Sequence, residues 1–181
     1  MSGEQQLADF DNSWYNSGAG FLKKTVWYII NSFFFNSFFP VNSFKISLLK
    51  LFGAKIGKGV IIKPFVSIKY PWKLIVGNHV WIGEKVWIDN LDVVTIENNV
   101  CISQGALLLC GNHNFKKSSF DLMIGKITLK QGCWVGSKSI ITGNVTVNEN
   151  AILQVGSVAS KNLEENSIYR GNPAVKIKNR F

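Results

Sequence analysis

His113 is one of only two histidines in the 181-residue chain, and it sits in Gly111-Asn112-His113-Asn114-Phe115. A neutral imidazole is the side chain best suited to take a proton near pH 7. Such a base needs a hydrogen-bond partner on its other ring nitrogen to fix the tautomer. Asp89, Asn90 and Asp92 are the polar residues with the spacing to provide one, or to hold a reacting group nearby. The second histidine, His79, lies in Val76-Gly-Asn-His-Val-Trp81 and reads as a surface or interface residue. Two histidines do not make a three-histidine zinc site. Cys101, Cys110 and Cys133 do not extend the set, because they lack paired ligand spacing. No metal is expected.

The elements that must position His113 follow from a repeat of six. Ile56, Ile62 and Ile68 are six apart, as are Val76, Ile82 and Ile88, then Ile96, Ile102 and Leu108. The series resumes at Leu129, Val135, Ile141, Val147 and Leu153. The position four after most anchors is small or β-branched, as at Val60, Val66, Val80, Val86, Val100, Ala106, Ser139, Val145, Ala151 and Ser157. Six fits neither the helical period nor simple strand alternation. It fits a short strand and a turn, stacked as a parallel β-helix. The general rule for parallel crossovers, right-handed in about 98% of cases, would wind it to the right.

Ile56 to Val76 and Val76 to Ile96 are each 20 residues, two more than three hexads. Both extras fall after the third hexad, where the small-residue rule fails at Trp72, Asp92 and Asn112. Leu108 to Leu129 is 21 residues, so a longer insertion, near 112–128, leaves from the same corner. One edge of the prism should therefore carry Tyr70 to Lys73, Asp89 to Asp92 and His113.

The stretches Leu51-Phe-Gly-Ala-Lys-Ile-Gly57, Trp81-Ile-Gly-Glu-Lys-Val-Trp-Ile-Asp-Asn-Leu91, Ile102-Ser-Gln-Gly105, Gly111-Asn-His113 and Gly171-Asn-Pro-Ala-Val-Lys-Ile-Lys178 carry a resemblance. The chain resembles the hexapeptide-repeat acyltransferases, above all bacterial O-acetyltransferases of exopolysaccharide synthesis of the colanic acid type. The resemblance implies an all-β fold, a left-handed parallel β-helix with an N-terminal helical segment and an inserted loop. It implies a homotrimer with sites between subunits, acetyl-CoA as donor, a sugar or glycan acceptor, with lipid linkage of that acceptor left open, and His113 as general base. Asn90 matches a polar residue of the family pattern, with Asp89 beside it. Trp134-Val-Gly-Ser137 and Val155-Gly-Ser-Val-Ala-Ser-Lys161 resemble the coils that hold the pantetheine arm. Ser137, Val155, Gly156, Ser160 and Lys161 are the implied donor residues, with Arg170 and Lys176 for coenzyme phosphates. Val175 stands where the family commonly has Lys. The γ-type carbonic anhydrases share the solenoid but need the three histidines this chain lacks.

The rest of the sequence sets the surroundings. The formal charge is +9. With no nucleic-acid motif in the chain, the partners expected are coenzyme phosphates and anionic lipid. An odd number of unpatterned cysteines argues for a reducing compartment, hence the cytoplasm, and the resemblance implies a bacterial protein. Residues 1–52 read as an arm and helical cap, 53–163 as the β-helix and 164–181 as a tail. Within the first block, Phe21 to Val41 holds eight aromatic residues, seven of them after Lys23 and Lys24, and is too short and too interrupted to span a bilayer. Capping the solenoid is its first expected use, and peripheral contact with the inner face of the membrane its second. A short helix is expected from Ser43 to Phe52, with Ser43 as its N-cap. The rival readings keep the fold and change the acceptor to an antibiotic, an amino sugar or an amino acid, or make the solenoid a scaffold without activity. His113 at a break in the repeat speaks against the scaffold.

Overall fold

A computed structural model describes residues 4–181. Short strands stack into three parallel faces of a prism. The first face is Lys55–Ile56, Leu74–Val76, Val94–Ile96, Ile127–Leu129 and Val145–Val147. The second runs from Ile61–Ile62 through Trp81–Ile82, Cys101–Ile102, Trp134–Val135 and Ile152–Leu153 to Ser167–Gly171. The third is Ser67–Ile68, Trp87–Asp89, Leu107–Leu109, Ile140–Thr142 and Val158–Ala159.

The hexad anchors stack in register. Ile56, Val76, Ile96, Leu129 and Val147 form one ladder. Ile62, Ile82, Ile102, Val135 and Leu153 form the second. Ile68, Ile88, Leu108 and Ile141 form the third. All are buried except Ile56, which is half-buried at the N-terminal end. Because each strand contributes one inward aliphatic per coil, the core is a continuous column whose burial drives the stacking. Turn glycines permit the close approach of coils. A Cβ on Gly136 would lie 2.6 Å from the Leu153 carbonyl and the Val155 nitrogen. His79 is exposed in a turn between the first and second faces, with a left-handed φ of 56°.

Two helices cover the first coil. Helix α1 is Phe21–Ile30, followed by a π-helical turn at Asn31–Phe35, and α2 is Asn42–Leu51. Trp27, Phe35 and Leu49 are buried against the solenoid. The first coil has backbone groups that no preceding strand can satisfy, and side chains satisfy them instead. Asn42 accepts from Ile62 N–H at 2.8 Å and donates to the Val60 carbonyl at 2.8 Å. Asn31 accepts from Ile68 N–H at 3.1 Å, and Trp27 Nε1–H donates to the Ile68 carbonyl at 2.8 Å. The expected N-cap at Ser43 is not formed. Helix α2 starts at Asn42, which puts the apolar Val41 at the N-cap position and Ser43 inside the first turn, so no side chain caps it; the Asn42 amide goes to the first coil. No helix among the described residues is long and apolar enough to cross a membrane.

The insertion is an antiparallel hairpin, Gly111–His113 with Leu122–Ile124, and the first face has already resumed at Ile127. The loop therefore ends sooner than 128. Residues 164–181 do not trail as a tail. Ser167–Gly171 joins the second face beside Ile152–Leu153, and Ala174–Asn179 folds back on it as an antiparallel edge. Adding a strand here covers the open end of the last coils.

Candidate active site

The third-to-first corner is built in three layers. In the first coil Tyr70 leads into a 3-10 turn, Pro71–Lys73. In the second, Asn90 is fully buried and clamps the layer above it. Its Oδ1 accepts from Tyr70 N–H at 2.9 Å and its Nδ2 donates to the Tyr70 carbonyl at 2.6 Å. Asp89, also buried, pairs with Lys69 at 2.8 Å. Asp92 accepts from the Val93 N–H at 2.7 Å. The third layer is the hairpin bearing His113.

None of these carboxylates holds the imidazole. His113 Nδ1 lies 2.8 Å from the Phe120 carbonyl across the hairpin. A carbonyl only accepts, so Nδ1 carries the proton and Nε2 keeps a free lone pair. The His113 ring stacks on Phe120 at 4.3 Å with 3° between planes, and Phe10 approaches at 5.5 Å. The expectation that Asp89, Asn90 or Asp92 orients the base thus gives way to a main-chain partner.

His113 borders a cleft of about 560 Å³, lined also by Phe10, Asn12, Tyr15, Lys24, Lys69, Tyr70 and Leu91. Its outer wall is the N-terminal arm. Gln6 N–H donates to the Ser118 carbonyl at 2.8 Å, Tyr15 Oη–H to the Leu91 carbonyl at 2.7 Å, and Trp72 Nε1–H to the Ser17 carbonyl at 2.7 Å. Lys73 Nζ reaches the Leu91 carbonyl at 2.6 Å and Tyr15 Oη at 3.1 Å. Burial pushes the Tyr15 phenol well up, helped by Tyr70 and Asp89, and pulls the Lys73 ammonium down. Sequence reasoning passed over this wall. Its signal was there, in the aromatics Phe10, Trp14 and Tyr15 within a polar stretch.

The donor candidates fall on two edges. Ser137, Val155 and Gly156 lie on the second-to-third edge, where Ser137 and Val155 line a cleft of about 560 Å³ with Trp134 and Ile168. Gly156, at φ 68°, has open space around it, and its N–H donates to the Ser137 carbonyl at 2.9 Å. Ser160 and Lys161 lie exposed on the edge that carries His113. Arg170 is exposed on Ser167–Gly171, and Lys176 pairs with Glu164 at 2.7 Å. A single chain therefore does not gather His113 and the Ser137 group into one site.

No family model matches the chain. Over 133 residues it is 38% identical to the colanic acid biosynthesis acetyltransferase WcaF of Escherichia coli K12, covering 74% of this chain and 73% of that protein. It is 26% identical over 135 residues to the galactoside O-acetyltransferase of Escherichia coli K12, covering 73% and 66% of the two chains. A galactoside acetyltransferase solved in complex with coenzyme A superposes with a TM-score of 0.79 at 22% identity, covering 88% of this chain and 82% of that one. The chain belongs to the hexapeptide-repeat acetyltransferases. It is an acyltransferase on a left-handed β-helix, not a scaffold.

In this acetyltransferase the thiols are spectators. Burial pushes the Cys110 thiol up to about 11 and the Cys133 thiol up to about 12, so neither is a nucleophile near neutral pH. His79 and His113 stand on different edges of the prism.

Proposed function

We propose that the enzyme transfers acetyl from acetyl-CoA to a hydroxyl of a sugar or exopolysaccharide precursor, with His113 as general base. The observation that carries this is the His113–Phe120 carbonyl bond at 2.8 Å, which leaves Nε2 as the basic nitrogen beside a cleft. The acceptor class is supported by the names of the two similar proteins, one of colanic acid biosynthesis and one acting on galactosides.

Nε2 takes the hydroxyl proton as the hydroxyl oxygen attacks the thioester carbonyl carbon. The carbonyl electrons pass to oxygen, where a backbone N–H stabilises the oxyanion. Collapse breaks the C–S bond, and the imidazolium returns the proton to the leaving thiolate. The products are the acetyl ester and free coenzyme A, with no enzyme-bound acetyl and no metal. Asn90 and Asp89 hold the corner from which the hairpin projects. Ser137, Val155, Gly156, Ser160 and Lys161 bind the pantetheine arm, and Arg170 and Lys176 meet its phosphates. Because these groups lie on two edges, the complete site is shared between subunits of a homotrimer. The solenoid of 53–163 carries the chemistry and the segments at either end close it.

The test is free-thiol release from acetyl-CoA with a panel of glycosides. His113-dependent release with a sugar supports the reading. Release only with amine acceptors, or undiminished release by His113→Ala, overturns it.

A further inference from the structure

Beyond the His113 cleft lies a second one of about 500 Å³, walled by Phe21, Trp27, Tyr28 and Trp87. The two clefts share three lining residues, Lys24, Lys69 and Tyr70. They are therefore two chambers of one groove, polar at His113 and aromatic at α1, with two lysines at the junction. These lysines come from different elements, Lys24 from α1 and Lys69 from the corner of the first coil. Lys69 is met by Asp89. Lys24 makes no ion pair among the described residues, and the first turn of α1 holds no acidic residue to offset it. Lys73 adds a third cation behind the wall of Tyr15 and Leu91. The carboxylates facing this region are Asp89, bound to Lys69, and Asp92, bound to the Val93 N–H. Of the charged side chains that line the two clefts, Lys24 and Lys69 stand against the single carboxylate Asp89, which leaves the junction positive.

We propose that Lys24 and Lys69 form an anion subsite that selects an acceptor sugar joined to a phosphate or diphosphate. The sugar occupies the His113 chamber and the phosphate sits between the lysines. This rests on the His113 cleft being the acceptor site. A phosphate fits better than a sugar carboxylate. No arginine fork is present to hold a planar carboxylate, whereas ammonium groups from two sides suit a tetrahedral, multiply charged group. Such a phosphate has two common bearers, a lipid carrier or a nucleoside, and the same subsite would accept either.

The experiment is calorimetric titration at saturating coenzyme A, so that phosphates cannot enter the donor groove. The probes are farnesyl diphosphate, UDP, farnesol, methyl galactoside and methyl glucuronide. A diphosphate should bind at least about tenfold more tightly than the uncharged probes and the glucuronide. Lys24→Gln should abolish that margin and Lys24→Arg should keep it. Preference for farnesyl diphosphate marks the lipid-borne sugar, and preference for UDP the nucleotide-borne one. Diphosphates binding no better than farnesol or the glucuronide would overturn the subsite, as would an unchanged margin in folded Lys24→Gln. His113-dependent acetylation of neutral glycosides would survive that failure, so the two readings fall separately.

Discussion

His113 and Phe120 are joined twice, by a 2.8 Å bond from Nδ1 to the main-chain carbonyl and by parallel rings 4.3 Å apart. The bond sets the tautomer and the stacking sets the plane of the imidazole. Because the oxygen belongs to the backbone, no side-chain substitution at 120 removes it.

Replacing His113 with Ala should lower kcat by on the order of 10²–10⁴, the range of a lost general base. Melting should move little, since the residue lies on a half-buried hairpin. Phe120→Leu should cost far less, on the order of tenfold, because the carbonyl remains. Steady-state kinetics and a melting curve on each variant check both statements. A Phe120→Leu loss as large as that of His113→Ala would count against the carbonyl as the orienting group.

Asn90→Ala removes a fully buried side chain that makes two hydrogen bonds to Tyr70 and leaves both backbone groups unsatisfied. A loss of about 2–4 kcal/mol is expected, readable by denaturant titration. A loss below about 0.5 kcal/mol would mean the clamp contributes nothing.

Donor candidates on two edges predict a site completed by a neighbouring subunit. Sedimentation should give about three times the 20.2 kDa chain mass. Neither His113→Ala nor Gly156→Trp alone should work, but mixed and reassembled chains should regain activity, since some interfaces then carry both intact halves. A fully active monomer would contradict this arrangement.

Trp27→Ala should cost about 3–5 kcal/mol, the range for a buried aromatic. Trp27 is 2% exposed and also holds the Ile68 carbonyl. Deleting residues 1–41 should expose the first coil and cause aggregation. A truncated protein that stayed stable and lost binding to anionic vesicles would instead assign the segment to the membrane.

The buried thiols predict a pH dependence. Burial raises the Cys110 and Cys133 thiols from 9.0 to about 11 and about 12, so the folded state holds their protons longer than the unfolded chain does. Their contribution to stability is fully present below pH 9 and declines as pH rises toward 11–12. Denaturant midpoints should fall across that window, and Cys110→Ala with Cys133→Ala should flatten the fall. At pH 8 neither thiol should react with a thiol reagent in the native protein.

Much of the fold was legible because one inward aliphatic per six residues leaves a frame readable by eye. The stacks Ile56–Val76–Ile96 and Ile62–Ile82–Ile102 follow from spacing alone, and the two-residue extras marked the corner that carries His113. The hand was not legible, since the crossover rule points the other way and only family likeness corrected it. The partner of His113 was hidden because a main-chain carbonyl has no signature in the sequence. The Ser43 cap was misplaced because the helix begins one residue earlier, at Asn42, whose amide pairs with a coil distant in the sequence. The arm was undervalued because its few aromatics pack on a corner that exists only after the coils have closed.

The amides of Asn31 and Asn42 stand where a preceding coil would place its own backbone groups. A stack of identical coils has no intrinsic length, and an open end would accept the coil of another molecule as readily as its own. With Ile62 N–H, Ile68 N–H and the Val60 carbonyl already bonded, that end cannot template growth. The two asparagines are chain terminators, and they keep a self-propagating architecture from becoming a fibre.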